Sequence, residues 1–568
     1  MLNRSLLKQY DLTPATMFFL LVLAIFFVLF LAYPIAYVFS QAFYVNGRLS
    51  IGFFKLMFTN PLERQSIFNS LKIGVIVTLA TTLLSLPLSY FLVRYRFRGR
   101  SLLQGLILVP MVMPPFVGAI GMRQLFARSG SVNLILMKLH IIDAQSTIDW
   151  FGSGFWGVIL MEVLHLYPIM YLNIAAALAN IDPCLEEAAE SMGAGRFRLF
   201  RTVTLPLMLP GYFAGAIIVF IWAFTDLGTP LVFQYSKVIP MRIYSKVADI
   251  NANPMGFALV VMVILMTMVF FYLSKRFMGS KRYEMMSRGH VDIKERQVGK
   301  ATTIFIYVFI LSVIGIAVLP HISVALLSVA DRWSGTILPG GFTLAQYGKI
   351  SSHRLTLPSI KNSLLYSSLS TFLDLALGIL IAYILSRKRI PGKNILDITA
   401  MLPLALPGIV LAFGYVGCFS GTFLDPRENP VFLLVVVYAV RRLPYMVRAA
   451  YAGFQQTSIA LEEASQSLGA TPLKTMRKIT FPLIIANLVA GAVLVFAFSM
   501  LEVGSSLVLA MKEQFYPITK AIYALFNVIE GGTYIASAMG MLGIVLLVVS
   551  LVLAGRFLGK RMGELFRA

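Results

Sequence analysis

Glu162 and His165 lie one helical turn apart in the apolar stretch 154–178. An ionisable side chain inside such a stretch is costly, so it marks a function or a buried partner. The aligned stretch in the second half, VYAVRRLPYMVRAAY, puts Tyr438, Arg441, Arg442 and Tyr445 at i, i+3, i+4 and i+7, on one helix face. An acid and an imidazole on one side, with two guanidiniums and two phenols on the other, could hold a charged solute in transit. They could equally join as an ion pair, Glu162 to Arg441 or Arg442, that locks the halves together. An ion pair that opens on switching satisfies both readings.

Asp226 in TDLGTP and Glu502 in LEVGSS form a second matched pair, followed by Gly228 and Gly504. Glycine and Pro230 favour a break in the helix here, which reads as an outer gate hinge. The plainer reading is a carboxylate at a helix end. Glu162, Tyr438, Tyr445, Asp226 and Glu502 offer oxygens that a hard cation wants, in passing rather than as a stable metal site. Arg441 and Arg442 would instead suit a phosphonate or another anion.

These residues need spans to carry them. The chain has 568 residues, 58% hydrophobic and 13% charged, with mean hydropathy +0.81. Apolar runs of about 20 residues recur throughout, the length that crosses a bilayer as a helix. The fold class is all-α and polytopic; a barrel would alternate apolar and polar residues in runs of about 10. Twelve spans are expected: 17–40, 68–93, 104–124, 154–178, 207–231, 255–274, 303–329, 360–386, 395–417, 431–454, 482–508 and 533–555. The N-terminal apolar run is expected to be a retained helix, because no small-residue cleavage site follows it. The prolines at 110/114 and 403/407 are expected to shape the third span of each half.

Most of the 48 Lys and Arg fall in short segments on one side, among them RYRFRGR, RFRLFR and RKRIPGK. That bias places both termini in the cytoplasm. It accounts for the net charge of +23 without nucleic acid. Cys184 and Cys418 fall on opposite sides and are not expected to pair.

The chain repeats itself. NSLKIGV (69–75) pairs with NSLLYSS (362–368), LVPMVMPPFVG (108–118) with MLPLALPGIVL (401–411), and AGAIIVFIWAFTDLG (214–228) with AGAVLVFAFSMLEVG (490–504). Six spans per half give both copies the same orientation, a parallel repeat. The halves are 1–274 and 303–568, with a basic linker at 275–302. The first half carries extra residues, most simply around 125–153.

One polar segment also recurs: EEAAESMGAGRFRLFRTVTLP from Glu186 and EEASQSLGATPLKTMRKITFP from Glu462. Asp182 before Pro183, and Ser458 in the second copy, are good helix starts. Gly193 and Gly469 suit a left-handed C-terminal turn. The pattern predicts a helix of about ten residues, then a basic amphipathic helix stopping before Pro206 or Pro482. A short polar helix cannot enter lipid or stand alone, so it needs a partner surface. Two matched copies point to a two-fold partner.

The E-E-A and G-A residues with the T-x-P ending resemble the EAA loop of permeases in bacterial ABC importers. The resemblance covers nearly the whole chain, as two permease domains in tandem. It implies a type I importer fold and a coupling role for Glu186, Glu187, Ala188 and Gly193, and for Glu462, Glu463, Ala464 and Gly469. It implies a homodimeric ATPase at the cytoplasmic face, an extracytoplasmic substrate-binding protein and an inner-membrane location. This chain would be a transport subunit rather than an enzyme. ATP and Mg²⁺ would be bound by the ATPase, because GATPLKT lacks the glycine before lysine that a phosphate loop requires. Among such permeases the chain most resembles the ferric iron importers. Phosphonate, thiamine and polyamine importers are alternatives, and an ion-gradient-driven secondary transporter is the rival class.

Overall fold

The computed structural model describes residues 13–45, 48–250, 253–278, 296–297, 299–528 and 531–558. Most of the linker at 275–302 and of the basic tail 556–568 lies outside them.

The first half is built from α1 (Pro14–Phe43), α2 (Pro61–Arg94), α3 (Arg100–Ile107), α4 (Pro115–Phe126), α5 (Phe155–Ala179), α6 (Pro183–Ser191), α7 (Leu205–Thr225), α8 (Gly228–Val232), α9 (Ile239–Ser245) and α10 (Met255–Met278). The second half repeats them as α11 (Lys300–Val329), α12 (Thr356–Arg387), α13 (Lys393–Met401), α14 (Gly408–Phe419), α15 (Val431–Gln456), α16 (Ile459–Ser467), α17 (Phe481–Met500), α18 (Gly504–Leu509), α19 (Ile518–Phe526) and α20 (Gly532–Leu558).

Among the described residues, nine helices are long and apolar enough to cross a membrane unbroken. The third span of each half is broken instead. The α3 and α4 segments meet at 90°, and α13 and α14 at 101°. Pro114 and Pro407 sit at those breaks, where a missing N–H and a ring clash end the first segment. The twelfth expected span is α15. It is a full-length helix, but Arg441, Arg442 and Arg448 make it too charged to be recognised by apolarity alone.

Local chemistry sets the boundaries. At the start of α2, the Asn60 side chain accepts from the Leu62 amide at 2.9 Å, with Pro61 in the first turn. The stop expected before Pro206 and Pro482 does not occur. The chain runs from 196 through 225 and from 472 through 500 as continuous helix. A π-helical turn, Phe200–Thr204 and again Met476–Thr480, takes up the strain just before each proline. Its wider hydrogen-bond spacing lets the helix carry on where an α turn would clash.

Within each half, the second, fourth and fifth spans pack together: α2 with α5 and α7, and α12 with α15 and α17. The first span of each half packs on the sixth span of its own half, α1 on α10 and α11 on α20, and also reaches across. It packs on the broken third span of the other, α1 on α14 and α11 on α4. Two hydrogen bonds mark the clasp. Tyr415 donates to the Phe30 carbonyl at 2.7 Å, and Ser323 to the Gly121 carbonyl at 2.6 Å. The additional residues of the first half lie between Phe126 and Phe155, where the second half goes directly from Phe419 to Val431.

Candidate functional site

The matched polar helices form as their caps direct. The Asp182 carboxylate accepts from the Cys184 amide at 2.9 Å and Pro183 opens α6. Gly193 and Gly469 close the two helices at φ +81° and +85°, a conformation other residues rarely adopt. Ser458 starts α16 without a side-chain cap.

The two glutamates of each E-E-A sequence part company. Glu187 and Glu463 are exposed, as are Ala188 and Ala464. Glu186 and Glu462 are buried and point back into the bundle. Glu186 accepts from Arg94 at 2.7 Å and from the Thr204 hydroxyl at 2.9 Å. Glu462 accepts from Arg387 at 3.0 Å, and Arg387 also reaches the Thr457 carbonyl at 2.8 Å. Arg94 and Arg387 end the second span of each half. So each polar helix is anchored to its own half by one buried ion pair, which sequence spacing alone did not expose.

Beside these charged residues, the helices and the turns that follow them also expose apolar side chains. Leu185 and Leu461, Met192 and Leu468, Phe197 and Leu473 are matched pairs, and all six are exposed. Leu468 is 90% exposed and Met192 82%. Side chains of this kind are normally covered.

The change from Ala189 to Ser465 is absorbed locally. Ala189 on α6 is buried, and so is Leu199, the residue that matches Thr475. At the matching places the Ser465 and Thr475 hydroxyls hydrogen-bond at 2.9 Å.

The intramembrane residues gather around a cavity of about 180 Å³ between the halves. Glu162, His165, Asp226, Arg441, Arg442, Glu502 and Gly504 line it. The path and gate residues, which the sequence set apart, therefore share one cavity. Of the expected path and gate residues, Tyr438, Tyr445 and Gly228 do not line it. Tyr438 is fully buried and hydrogen-bonds Ser506 at 2.5 Å, and the Tyr445 ring packs on Phe498.

The ion pair expected between Glu162 and Arg441 or Arg442 does not form. Arg442 donates to Glu502 at 2.5 Å, and Arg441 donates to the other Glu502 oxygen. The sequence placed Glu502 in a hinge, so its role as a counter-ion was missed. A Cβ at Gly408 would lie 2.6 Å from the Arg441 guanidinium, so the pair packs directly against this glycine. In the first half Glu162 bonds the Thr229 hydroxyl at 3.0 Å and faces Asp226. Asp226 accepts from the Thr229 amide at 2.8 Å. His165 hydrogen-bonds the Pro110 carbonyl, 3.1 Å away, which the break in the third span sets free.

Both expected breaks are present. The α7 helix ends at Thr225 and α8 begins at Gly228; α17 ends at Met500 and α18 begins at Gly504. Gly228 lies against Val503 of the other half, where a Cβ would sit 3.1 Å from it. The two breaks therefore meet beside the cavity. Among the described residues, no group of three or more His, Cys, Asp or Glu side chains is placed to hold a metal.

The family described as the binding-protein-dependent transport system inner membrane component matches twice, over residues 82–282 and 375–564. The chain is 28% identical over 542 residues to the ferric transport system permease protein FbpB of Actinobacillus pleuropneumoniae, covering 93% of this chain and 76% of that one. It is 31% identical over 199 residues to the molybdenum transport system permease protein ModB of Escherichia coli K12, covering 34% of this chain and 82% of that one. Among solved structures, a chain of a bacterial ABC transporter involved in the import of the acidic polysaccharide alginate aligns with TM-score 0.39 at 18% identity, over 46% of this chain and 94% of that chain. With the family's domain present twice along one polypeptide, the chain belongs to the binding-protein-dependent transport system inner membrane components, as a tandem fusion of two such permeases.

Proposed function

We propose that the chain forms the import path for ferric iron through a bacterial inner membrane, driven by a separate homodimeric ATPase. The observation that carries the coupling is the matched pair α6 and α16. Each is tied to its half by a buried Arg–Glu pair and, with the residues just after it, offers exposed apolar side chains at the same end of the bundle. Burying one such side chain contributes about 1.5–3 kcal/mol, so six make a sound docking surface. Glu187, Glu463, Gly193 and Gly469 shape that surface. The ATPase binds ATP and Mg²⁺, and its closure drives the two helices together. The halves then rock, opening the far end to an extracytoplasmic binding protein. Both termini are cytoplasmic on this reading, and the halves divide at 275–302.

The substrate reading rests on charge. Three carboxyls and two guanidiniums line the cavity. Both guanidiniums are engaged by Glu502, and among the described residues no ion pair joins Glu162 or Asp226 to a basic side chain. A hard cation finds oxygens there. The FbpB relative, named for ferric transport, agrees over most of the chain. An oxyanion is the second reading, favoured by Arg441 and Arg442 and by the molybdenum permease relative. It requires Glu502 to release them.

The test is uptake into proteoliposomes holding the chain, its ATPase and its binding protein. Labelled Fe³⁺ and aminoethylphosphonate are offered side by side, with and without ATP. ATP-dependent iron uptake supports the proposal; phosphonate uptake moves the substrate site to Arg441 and Arg442.

A further inference from the structure

Asp374 is fully buried in α12, and neither of its carboxylate oxygens has a hydrogen-bond partner. Leaving such a group unpaired inside a bundle is expensive. The matching position in α2 is Thr81, whose hydroxyl bonds the Thr78 carbonyl one turn away. The fold thus accepts a neutral, self-satisfied residue at this place, and the carboxylate is a feature of the second half alone.

The second half also differs in Arg442, which aligns with Leu166 of the first. The Arg442 guanidinium is the charge acting on Asp374. Helix geometry agrees. The α12 and α15 helices run in the same direction, and Gly378 of α12 abuts Met446 of α15, where a Cβ would lie 2.6 Å from the Met446 side chain. One turn outward on each helix brings Asp374 level with Arg442. Arg442 currently donates to Glu502 and to the Phe498 carbonyl at 3.3 Å, and its Nε has no partner.

Glu502 sits in the break between α17 and α18, which lines the cavity and meets the first-half break. An opening at this break that carried Glu502 away from α15 would leave a buried guanidinium behind. An orphaned buried charge costs several kcal/mol. Asp374 rides on α12, which packs along α15 over much of its length.

We propose that Asp374 is a positioning residue, the second acceptor of the Arg442 guanidinium, taking it over from Glu502 when the outer gate opens. The exchange gives the gate two satisfied states instead of one. It rests on the alternating-access reading above.

The test uses the full transporter in nanodiscs, with spin labels at the exposed positions Ser236 and Gln514 on equivalent outer loops of the two halves. Distances are measured with ADP and in the vanadate-trapped state. Wild type should show a longer distance on trapping. Asp374→Asn should lower that population at least about tenfold, as loss of a buried charged hydrogen bond requires. It should leave the melting temperature of the resting state unchanged or raised. In an Arg442→Met background, Asp374→Asn should have no further effect. Wild-type opening in Asp374→Asn overturns the exchange alone. So does an equal loss in the Arg442→Met background with a lowered resting melting temperature, the mark of a merely structural residue. A wild-type distance indifferent to nucleotide overturns the alternating-access reading and the exchange with it.

Discussion

The Arg94 guanidinium donates to the Glu186 carboxylate at 2.7 Å across 92 positions of sequence, and both side chains are buried. Arg387 and Glu462 repeat the relationship at 3.0 Å. Each pair joins the end of a second span to the helix that follows the fourth. A push on α6 therefore moves α2 and α5 together. The first glutamate of each E-E-A sequence holds the helix in place, and the second faces outward.

Removing one partner strands the other. Glu186→Gln or Arg94→Ala should cost about 3–5 kcal/mol locally, the usual penalty for breaking a buried pair. Transport should fall while the ATPase still hydrolyses ATP. Uptake and hydrolysis measured on the same complex check this; loss of both together would mean that the whole half unfolds.

The outward face behaves differently. Met192→Asp or Leu468→Asp should leave folding intact, since both side chains are exposed, and should release the ATPase. Co-purification reads the loss. The wild-type affinity should fall at least about tenfold, given about 1.5–3 kcal/mol per buried apolar side chain.

The two copies also permit an exchange of parts. Ser465→Ala leaves the Thr475 hydroxyl buried without its partner, a cost of about 1–3 kcal/mol. Adding Thr475→Leu recreates the Ala189 and Leu199 combination of the first half and should recover most of it. Thermal unfolding of the single and double variants gives the coupling.

Much of this was legible in sequence. Asp182-Pro183 and Gly193 set the ends of α6 because capping and positive φ are local properties. The prolines at 110/114 and 403/407 were expected to shape the third spans, but the sequence did not foretell that those spans would break at 90° and 101°. The partner of Arg441 and Arg442 was not legible either. Glu162 and Glu502 both lie in spans near them, and only the packing of α15 against α17 selects Glu502. The continuous helix through Pro206 was hidden as well, since a π turn leaves no mark in residue type.

Lys520 titrates on α19, a short helix at the outer face. It donates to the Leu507 carbonyl at 2.8 Å and to the Tyr244 hydroxyl of the other half at 3.2 Å. Burial pushes its ammonium down from 10.5 to about 8. Between those values the unfolded chain holds a proton that the folded chain has lost, so stability rises with pH across that interval. Melting in detergent should be higher at pH 9.5 than at pH 7. Lys520→Met, the residue that Met241 supplies in the first half, should raise stability at pH 7 and flatten the rise. A wild-type melting temperature independent of pH would contradict this.

The central claim is that ATP, acting through α6 and α16, drives iron through this chain. Its most direct test is the initial rate of Fe³⁺ uptake into proteoliposomes with the ATPase and binding protein, for wild type and Leu468→Asp, with and without ATP and an ionophore. The account predicts uptake that needs ATP, ignores the ionophore and is lost in Leu468→Asp. Uptake that proceeds without ATP and collapses with the ionophore would contradict it.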